Sequence, residues 1–258
     1  MRRWSIRFGQ ALALPGVLLL AWHLASLQGG AVAYAFVPFA DVWRSFLELT
    51  AQGELGLHLA ASLRTALVGL ACGSAAGFLL GVALAQSRLA DSAFGPLFHA
   101  FRQIPTLGLI PLIALWFGTG AFSIALLVSL AAFEVVGLNT CEGLKGVEAR
   151  HRELARALCL TPLQTFTRVL LPAAFPQILI GLLQATAFAW TATIGAELLF
   201  TVGPGLGVIL ERAQLAARMD VAIVCLIFIG AMGCATNALC QAIGQRALRW
   251  RPTRENAA

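Results

Sequence analysis

The sequence predicts an all-α polytopic membrane protein with about six transmembrane helices and a short polar helix pair on one side of the bilayer. Composition is the first reason. A chain of 258 residues that is 59% hydrophobic and 12% charged, with mean hydropathy +0.82, has too little polar surface to cover a soluble globule. The second is segmentation: apolar stretches near the roughly 20 residues needed to cross a bilayer run over residues 11 to 27, 57 to 86, 94 to 116, 120 to 139, 173 to 199 and 219 to 243. The third is the polar island from Glu153 to Pro172, set between two of the most apolar stretches. The net charge of +6 and pI near 9.5 would suggest nucleic acid in a soluble protein. In a membrane protein, Lys and Arg instead collect in cytoplasmic loops, so no nucleic-acid partner is expected.

Taken in order, residues 1 to 10 form a basic cytoplasmic tail with Arg2, Arg3 and Arg7, and residues 11 to 245 form the membrane domain. The basic start, the apolar run from Ala11 and the small residues Ala31-Val32-Ala33 are also the pattern of a cleavable signal peptide. A retained first helix fits better, because its removal would leave five spans and move one terminus across the membrane. Next comes a short surface helix beginning near Val37, with Asp41 as a plausible N-cap and Val42, Phe46 and Leu49 on one face. The second span carries Gly69, Gly73, Gly77 and Gly81 on one stripe, which lets a neighbouring backbone approach closely. A smooth pore wall is the alternative use of such a stripe. In the third span, Pro105 and Pro111 interrupt the hydrogen-bond ladder, so the helix must bend, making a natural hinge beside a pathway. After the fifth span, residues 201 to 207 are too rich in Gly and Pro to stay helical, and residues 208 to 218 make a short outer helix before the last span. Residues 246 to 258 form a second cytoplasmic tail. With both termini inside, fourteen of the 18 basic residues are cytoplasmic and only Arg44, Arg64, Arg212 and Arg218 lie toward the other face. That places Cys141, Cys159 and the island in the cytoplasm.

The island reads as two short helices. Thr161-Pro162-Leu163-Gln164 is a helix start, with Thr161 as N-cap, Pro162 where a missing N–H costs nothing, and Gln164 able to reach back. One helix therefore ends near Cys159 and another begins at Pro162. Arg150, Arg152, Glu153, Arg156 and Arg168 would face outward, and Leu154, Leu158 and Leu163 would be available for contact, which suits a plug into a partner's groove. A solvated loop that binds nothing is the plainer alternative.

The residues Glu153-Leu154-Ala155, Cys159 and, after nine residues, Val169-Leu170-Leu171-Pro172 resemble the coupling loop of bacterial ABC importer permeases. That pattern reads Glu-Ala-Ala, three residues, Gly, nine residues, Ile, any residue, Leu-Pro. Leu154 and Cys159 depart from it, the first mildly and the second where a glycine is expected. Within those permeases, residues 111 to 118 and the Asn139-Thr140 pair are most similar to the sulfonate, taurine and nitrate subfamily, and the likeness covers about residues 38 to 245. The resemblance implies a type I importer permease fold with a coupling loop over residues 141 to 172, in which Glu153, Leu154, Ala155, Cys159, Leu171 and Pro172 meet the ATPase. It implies a substrate pathway through the bacterial inner membrane, formed with a second permease copy. Two ABC ATPase subunits would hold ATP-Mg in the cytoplasm, and a periplasmic or lipid-anchored binding protein would deliver the nutrient.

Polar residues inside the spans need a reason, since each is costly in lipid. The pathway or gate candidates are Arg102, Pro105, Pro111, Glu134, Glu197 and Gly205. Arg102, near the cytoplasmic end of its span, could equally snorkel to headgroups. At Glu134 the subfamily usually has an aromatic residue followed by proline, so this chain gains a carboxylate and loses a kink. Glu197 matches an acidic position common in the subfamily. The readings of Glu197, in order, are a structural hydrogen-bonded group, a gate element and a substrate ligand; a lone carboxylate would repel an anion. The chain has no Gly-Lys-Ser or Gly-Lys-Thr to bind nucleotide, no paired acid and base in a soluble domain, and four scattered histidines without ligand spacing. Its six cysteines show no Cys-x-x-Cys, which points away from a disulfide framework or zinc. No cofactor or covalent catalysis is expected of the chain itself. A secondary transporter would show inverted repeats, and none is evident.

Overall fold

The computed structural model describes residues 14, 16–27, 36–200 and 202–247. The expected basic tail over residues 1 to 10, the small-residue motif at 31 to 33, and all of the expected tail over residues 246 to 258 but its first two residues lie outside the described residues; those two continue the last helix. Among the described residues every regular element is helical. These elements are α1 (Gly16–Ser26), α2 (Phe39–Ala51), α3 (Glu54–Gln86), α4 (Arg88–Phe101), a 3-10 turn (Thr106–Leu109), α5 (Ile110–Phe117) and α6 (Ala121–Lys145). They continue with α7 (Ala149–Ala157), α8 (Pro162–Thr165), a π-helical turn (Phe166–Leu170), α9 (Leu171–Phe200), α10 (Leu206–Leu215) and α11 (Met219–Ala247). Four stretches are long and apolar enough to cross a membrane: α3, α6, α8 to α9 taken together, and α11. The α4–α5 pair makes a fifth if its two legs are taken together, and α1 is the described part of the first.

Helix α6 is the centre, packed on α3 along one side and on α9 along the other. The glycine stripe of α3 explains the first contact: Gly69, Gly73, Gly77 and Gly81 are all buried against α6. A Cβ added at Gly77 would sit 2.5 Å from the Phe133 carbonyl oxygen, and one at Gly81 would sit 2.6 Å from that of Gly137. At Gly73 it would overlap the Ser129 carbonyl outright. Small residues let two backbones touch where lipid gives no hydrophobic drive for helix association. On the other side, Asn139 donates its amide to the Val135 carbonyl at 2.9 Å and to Gln184 Oε1 at 3.3 Å, and accepts from Gln177 Nε2 at 2.9 Å. This polar ladder joins α6 to α9, and the sequence analysis singled out only Asn139 from it.

The single third span expected over residues 94 to 116 is corrected. It is two helical legs bent by 87° at residues 102 to 105. Pro105 precedes the 3-10 turn, but Pro111 falls in the first turn of α5, where its missing N–H breaks no internal bond. Pro111 therefore starts a helix instead of kinking one. The broken pair climbs the full length of α6: Asp91 pairs with Lys145 at 2.8 Å at one end, Thr106 meets Glu134 midway, and Ile110 and Ile113 pack with Ile124 and Leu127 toward the other end.

Three smaller expectations also shift. Pro38, not Asp41, is the N-cap of α2; Asp41 sits in the first turn, its N–H bonded to the Pro38 carbonyl and its carboxylate 3.4 Å from Arg44. Cys141 is buried in a small cluster with Leu84 and Phe98, so its place in the last turns of α6 does not expose it, as the expected cytoplasmic position would have. The helix before the last span starts at Leu206, two residues early, and Leu206, Val208, Ile209 and Leu210 are buried in the cluster that joins α2, α3, α9, α10 and α11.

Candidate coupling surface and polar sites in the membrane

The loop after α6 folds as one short helix, α7, followed by α8, which is the opening turn of a helix that runs on without a break through the π-helical turn into α9. The second of the two short helices expected is therefore the start of the next span, and local chemistry fixes both ends of the connection. Helix α7 closes with the Leu160 N–H on the Ala155 carbonyl at 3.0 Å and the Cys159 N–H on the Arg156 carbonyl at 2.9 Å. Those two bonds are a Schellman motif, which requires a left-handed residue at its turn. Cys159 supplies it with φ 51°. Helix α8 opens with a full capping box: the Gln164 N–H donates to Thr161 Oγ1 at 3.3 Å, and the Thr161 N–H donates to Gln164 Oε1 at 3.0 Å. The π-helical turn then follows, immediately ahead of Pro172. A proline ring clashes with the carbonyl four residues earlier, here that of Arg168, and a widened turn relieves the crowding.

A non-glycine residue in the left-handed region costs roughly 1 kcal/mol. Cys159→Gly is therefore expected to raise the melting temperature of the purified protein modestly while uptake stays intact. A large loss of uptake would show that the thiol has its own task.

The surface of this pair is apolar where it faces away from the chain. Leu154, Leu158 and Leu163 are 57%, 62% and 72% exposed, with Glu153, Arg156 and Cys159 exposed beside them. Two residues expected on that surface are not on it. Ala155 is only 1% exposed, because it is the inward-facing residue of α7, which packs on the π-helical turn. Its small side chain serves packing within the loop. Arg152 turns back and donates to the Leu144 carbonyl at 3.1 Å, satisfying the last turn of α6. Leu171 and Pro172 are half-buried at the start of α9.

Arg102, Pro105 and Glu134 come together at the corner between α4 and the 3-10 turn. Thr106 donates its hydroxyl to Glu134 Oε1 at 3.2 Å, and the Arg102 guanidinium lies 5.9 Å above the Phe98 ring, near enough to act on Glu134 electrostatically. Glu134 is thirteen residues into α6, so the Thr106 contact lies beside the middle of that helix, while the Arg102 side chain turns back over Phe98.

Glu197 is the hub of a buried knot that joins α3, α9 and the start of α10. It is 2% exposed. Ser62 donates its hydroxyl to the carboxylate, 2.7 and 2.8 Å from the two oxygens, and the Gly207 N–H donates to Oε2 at 3.0 Å. The Leu206 N–H in turn donates to Ser62 Oγ at 2.8 Å, and His58 Nδ1 lies 2.8 Å from both the nitrogen and the carbonyl oxygen of Gly205. Gly205 is the N-cap of α10, and a Cβ there would fall 2.5 Å from the Glu197 carboxyl carbon. A carboxylate over the first N–H groups of a helix is favoured by the helix dipole. His58 and Ser62 were missed in the sequence, though they share the buried face of α3 with the glycine stripe.

Residues 73–249 match the family described as binding-protein-dependent transport system inner membrane component. The chain is 30% identical to the putative aliphatic sulfonates transport permease protein SsuC of Bacillus subtilis (strain 168), covering 96% of this chain and 91% of the relative. It is 30% identical to the taurine transport system permease protein TauC of Escherichia coli (strain K12), covering 97% and 92%. It is 29% identical to the nitrate import permease protein NrtB of Leptolyngbya laminosa, covering 89% and 84%. Among solved structures, an amino acid ABC transporter crystallised with histidines aligns with TM-score 0.64 and 16% identity, covering 78% of this chain and 97% of that one. The inward-facing MetNI methionine ABC transporter aligns with TM-score 0.56 and 22% identity, covering 76% and 94%.

Proposed function

This chain belongs to the family of binding-protein-dependent transport system inner membrane components, and from that membership we propose that it forms half of the membrane pathway of an ATP-driven importer for a small oxyanionic nutrient. The observation that carries this reading is the polar connection between two long spans, α7 and the opening turn α8, which exposes Leu154, Leu158 and Leu163 as a partner would require. Two such chains would enclose the pathway. An ABC ATPase would seat against each helix pair from the cytoplasm and bind ATP-Mg there, while a periplasmic or lipid-anchored binding protein would load the outer face. Both termini then lie in the cytoplasm, and the chain performs no covalent chemistry. Relatives named for sulfonates, taurine and nitrate support a small anionic cargo.

In this scheme Leu154, Leu158, Leu163, Glu153 and Cys159 form the contact with the ATPase. Ala155, Leu171 and Pro172 shape the loop behind it. Arg102, Pro105, Pro111 and Glu134 belong to the broken span and its hinge, and Glu197 with Gly205 locks the outer ends of α9 and α10 to α3.

Reconstitution tests the reading. The purified chain alone should hydrolyse no ATP, and in proteoliposomes ATP-dependent uptake should require the ATPase and the binding protein together. Hydrolysis by the chain alone at the rate of the complex, or uptake without the ATPase, would overturn it.

A further inference from the structure

Arg64 is a cation without an acidic partner in an apolar stretch. It lies ten residues past the start of α3 at Glu54, roughly 15 Å along the axis at 1.5 Å per residue. The 33 residues of α3 span roughly 50 Å, longer than the ~30 Å hydrocarbon core, so Arg64 sits just inside the outer boundary. Its neighbours Leu63, Ala66, Leu67 and Val68 are apolar. Among the described residues no carboxylate comes within 4 Å of it.

The side chain borders a cleft of about 520 Å³, lined also by Thr65, Gly120, Ala121, Gly203 and Pro204. One acidic residue, Glu197, reaches this cleft, and its carboxylate is already engaged by Ser62 and the Gly207 N–H. The remaining walls are small or apolar, apart from the Thr65 hydroxyl, which donates to the Ala61 carbonyl at 3.1 Å. Charged side chains at membrane depth face a bundle interior or a water-filled cavity and mark ion or substrate paths. A guanidinium offers a planar fork of donors matched to oxyanions, and here that fork has no protein acceptor among the described residues.

We infer that Arg64 binds an oxyanion at the outer mouth of the pathway and receives the anionic group of the nutrient as it leaves the binding protein. This rests on the import reading above. The headgroup of an anionic lipid such as phosphatidylglycerol offers the same chemistry, and the experiment separates the two sources.

The test uses the assembled permease, ATPase and binding protein in proteoliposomes, with nitrate, taurine and ethanesulfonate as probes. For whichever probe the wild type imports, Arg64→Gln should lower the maximal uptake rate about tenfold or more at equal amounts of assembled complex, the scale of one lost charge-assisted hydrogen bond. The concentration of loaded binding protein giving half-maximal uptake should not change. Arg64→Lys, which keeps the charge and loses the fork, should fall between the two. If the Gln variant does not assemble, the Lys variant decides, and wild-type uptake by it overturns the inference. The loss should be the same in liposomes with and without phosphatidylglycerol; a loss confined to liposomes that contain it assigns Arg64 to a lipid headgroup and overturns the inference. Wild-type uptake by Arg64→Gln overturns the inference alone, whereas failure of the wild type to import any of the three probes overturns the reading beneath it.

Discussion

Leu158→Asp is expected to strip the ATPase from the complex and abolish uptake while leaving the amount of membrane-inserted chain unchanged. The side chain is 62% exposed at the end of α7, so the folded chain does not need it for its own packing. A carboxylate at that position would be carried, unpaired, into the partner's apolar groove, at a cost of several kcal/mol. Each 1.4 kcal/mol is a factor of ten in affinity, so copurified ATPase should fall about a hundredfold or more. Leu154→Asp should behave alike. Ala155→Asp should not serve as the test, because Ala155 is buried within the loop and its replacement would damage the loop before it reached the partner. Wild-type ATPase retention and uptake in both leucine variants would sink the coupling role of α7.

The second large effect is expected at Gly73. A valine there would drive its Cβ into the Ser129 carbonyl, a backbone group that cannot rotate away, so α3 and α6 would have to part along their whole contact. Overpacking typically costs 1–3 kcal/mol when side chains can yield, and here none can. Gly73→Val should therefore yield little monodisperse protein after detergent extraction, with a melting temperature well below wild type in what remains. Gly230→Ala, where a Cβ meets nothing within 4 Å, is the control for an unhindered helix glycine and should not destabilise the protein. A Gly73→Val protein as stable as wild type would show that the two helices are not held by this approach.

What the sequence made legible follows from how far each determinant reaches along the chain. The α7–α8 pair was readable because its ends are written locally: Thr161, Pro162 and Gln164 open one helix, and the Cys159 turn closes the other within five residues. The inward turn of Ala155 was not readable, since Leu154 and Ala155 are both apolar and only the π-helical turn behind them decides which is covered. Proline positions announced a break in the third span but admit two outcomes, a kink or a fresh helix start, and Pro111 took the second. The knot around Glu197 depends on Ser62, 135 residues away, and His58 reaches Gly205 across 147. Pairings at that distance leave no periodic trace, although the buried face that His58 and Ser62 share with the glycines was itself visible.

The fit of α3 on α6 also has a mechanical meaning. Helix α6 is a rod of 25 residues, roughly 37 Å long, braced over much of its length by a second helix whose backbone touches its own. Only Gly146, Val147 and Glu148 separate it from α7, and that short joint is stiffened by the Gly146 N–H on the Glu142 carbonyl and by Arg152 on the Leu144 carbonyl. A push on α7 cannot be absorbed as local slack. It is passed to a braced beam whose far end, at Gly120 and Ala121, forms the lip of the Arg64 cleft. Tilting that beam swings its two tips in opposite senses, so in the import scheme proposed above, movement of the tip beside α7 and movement of the lip of the Arg64 cleft form a single displacement.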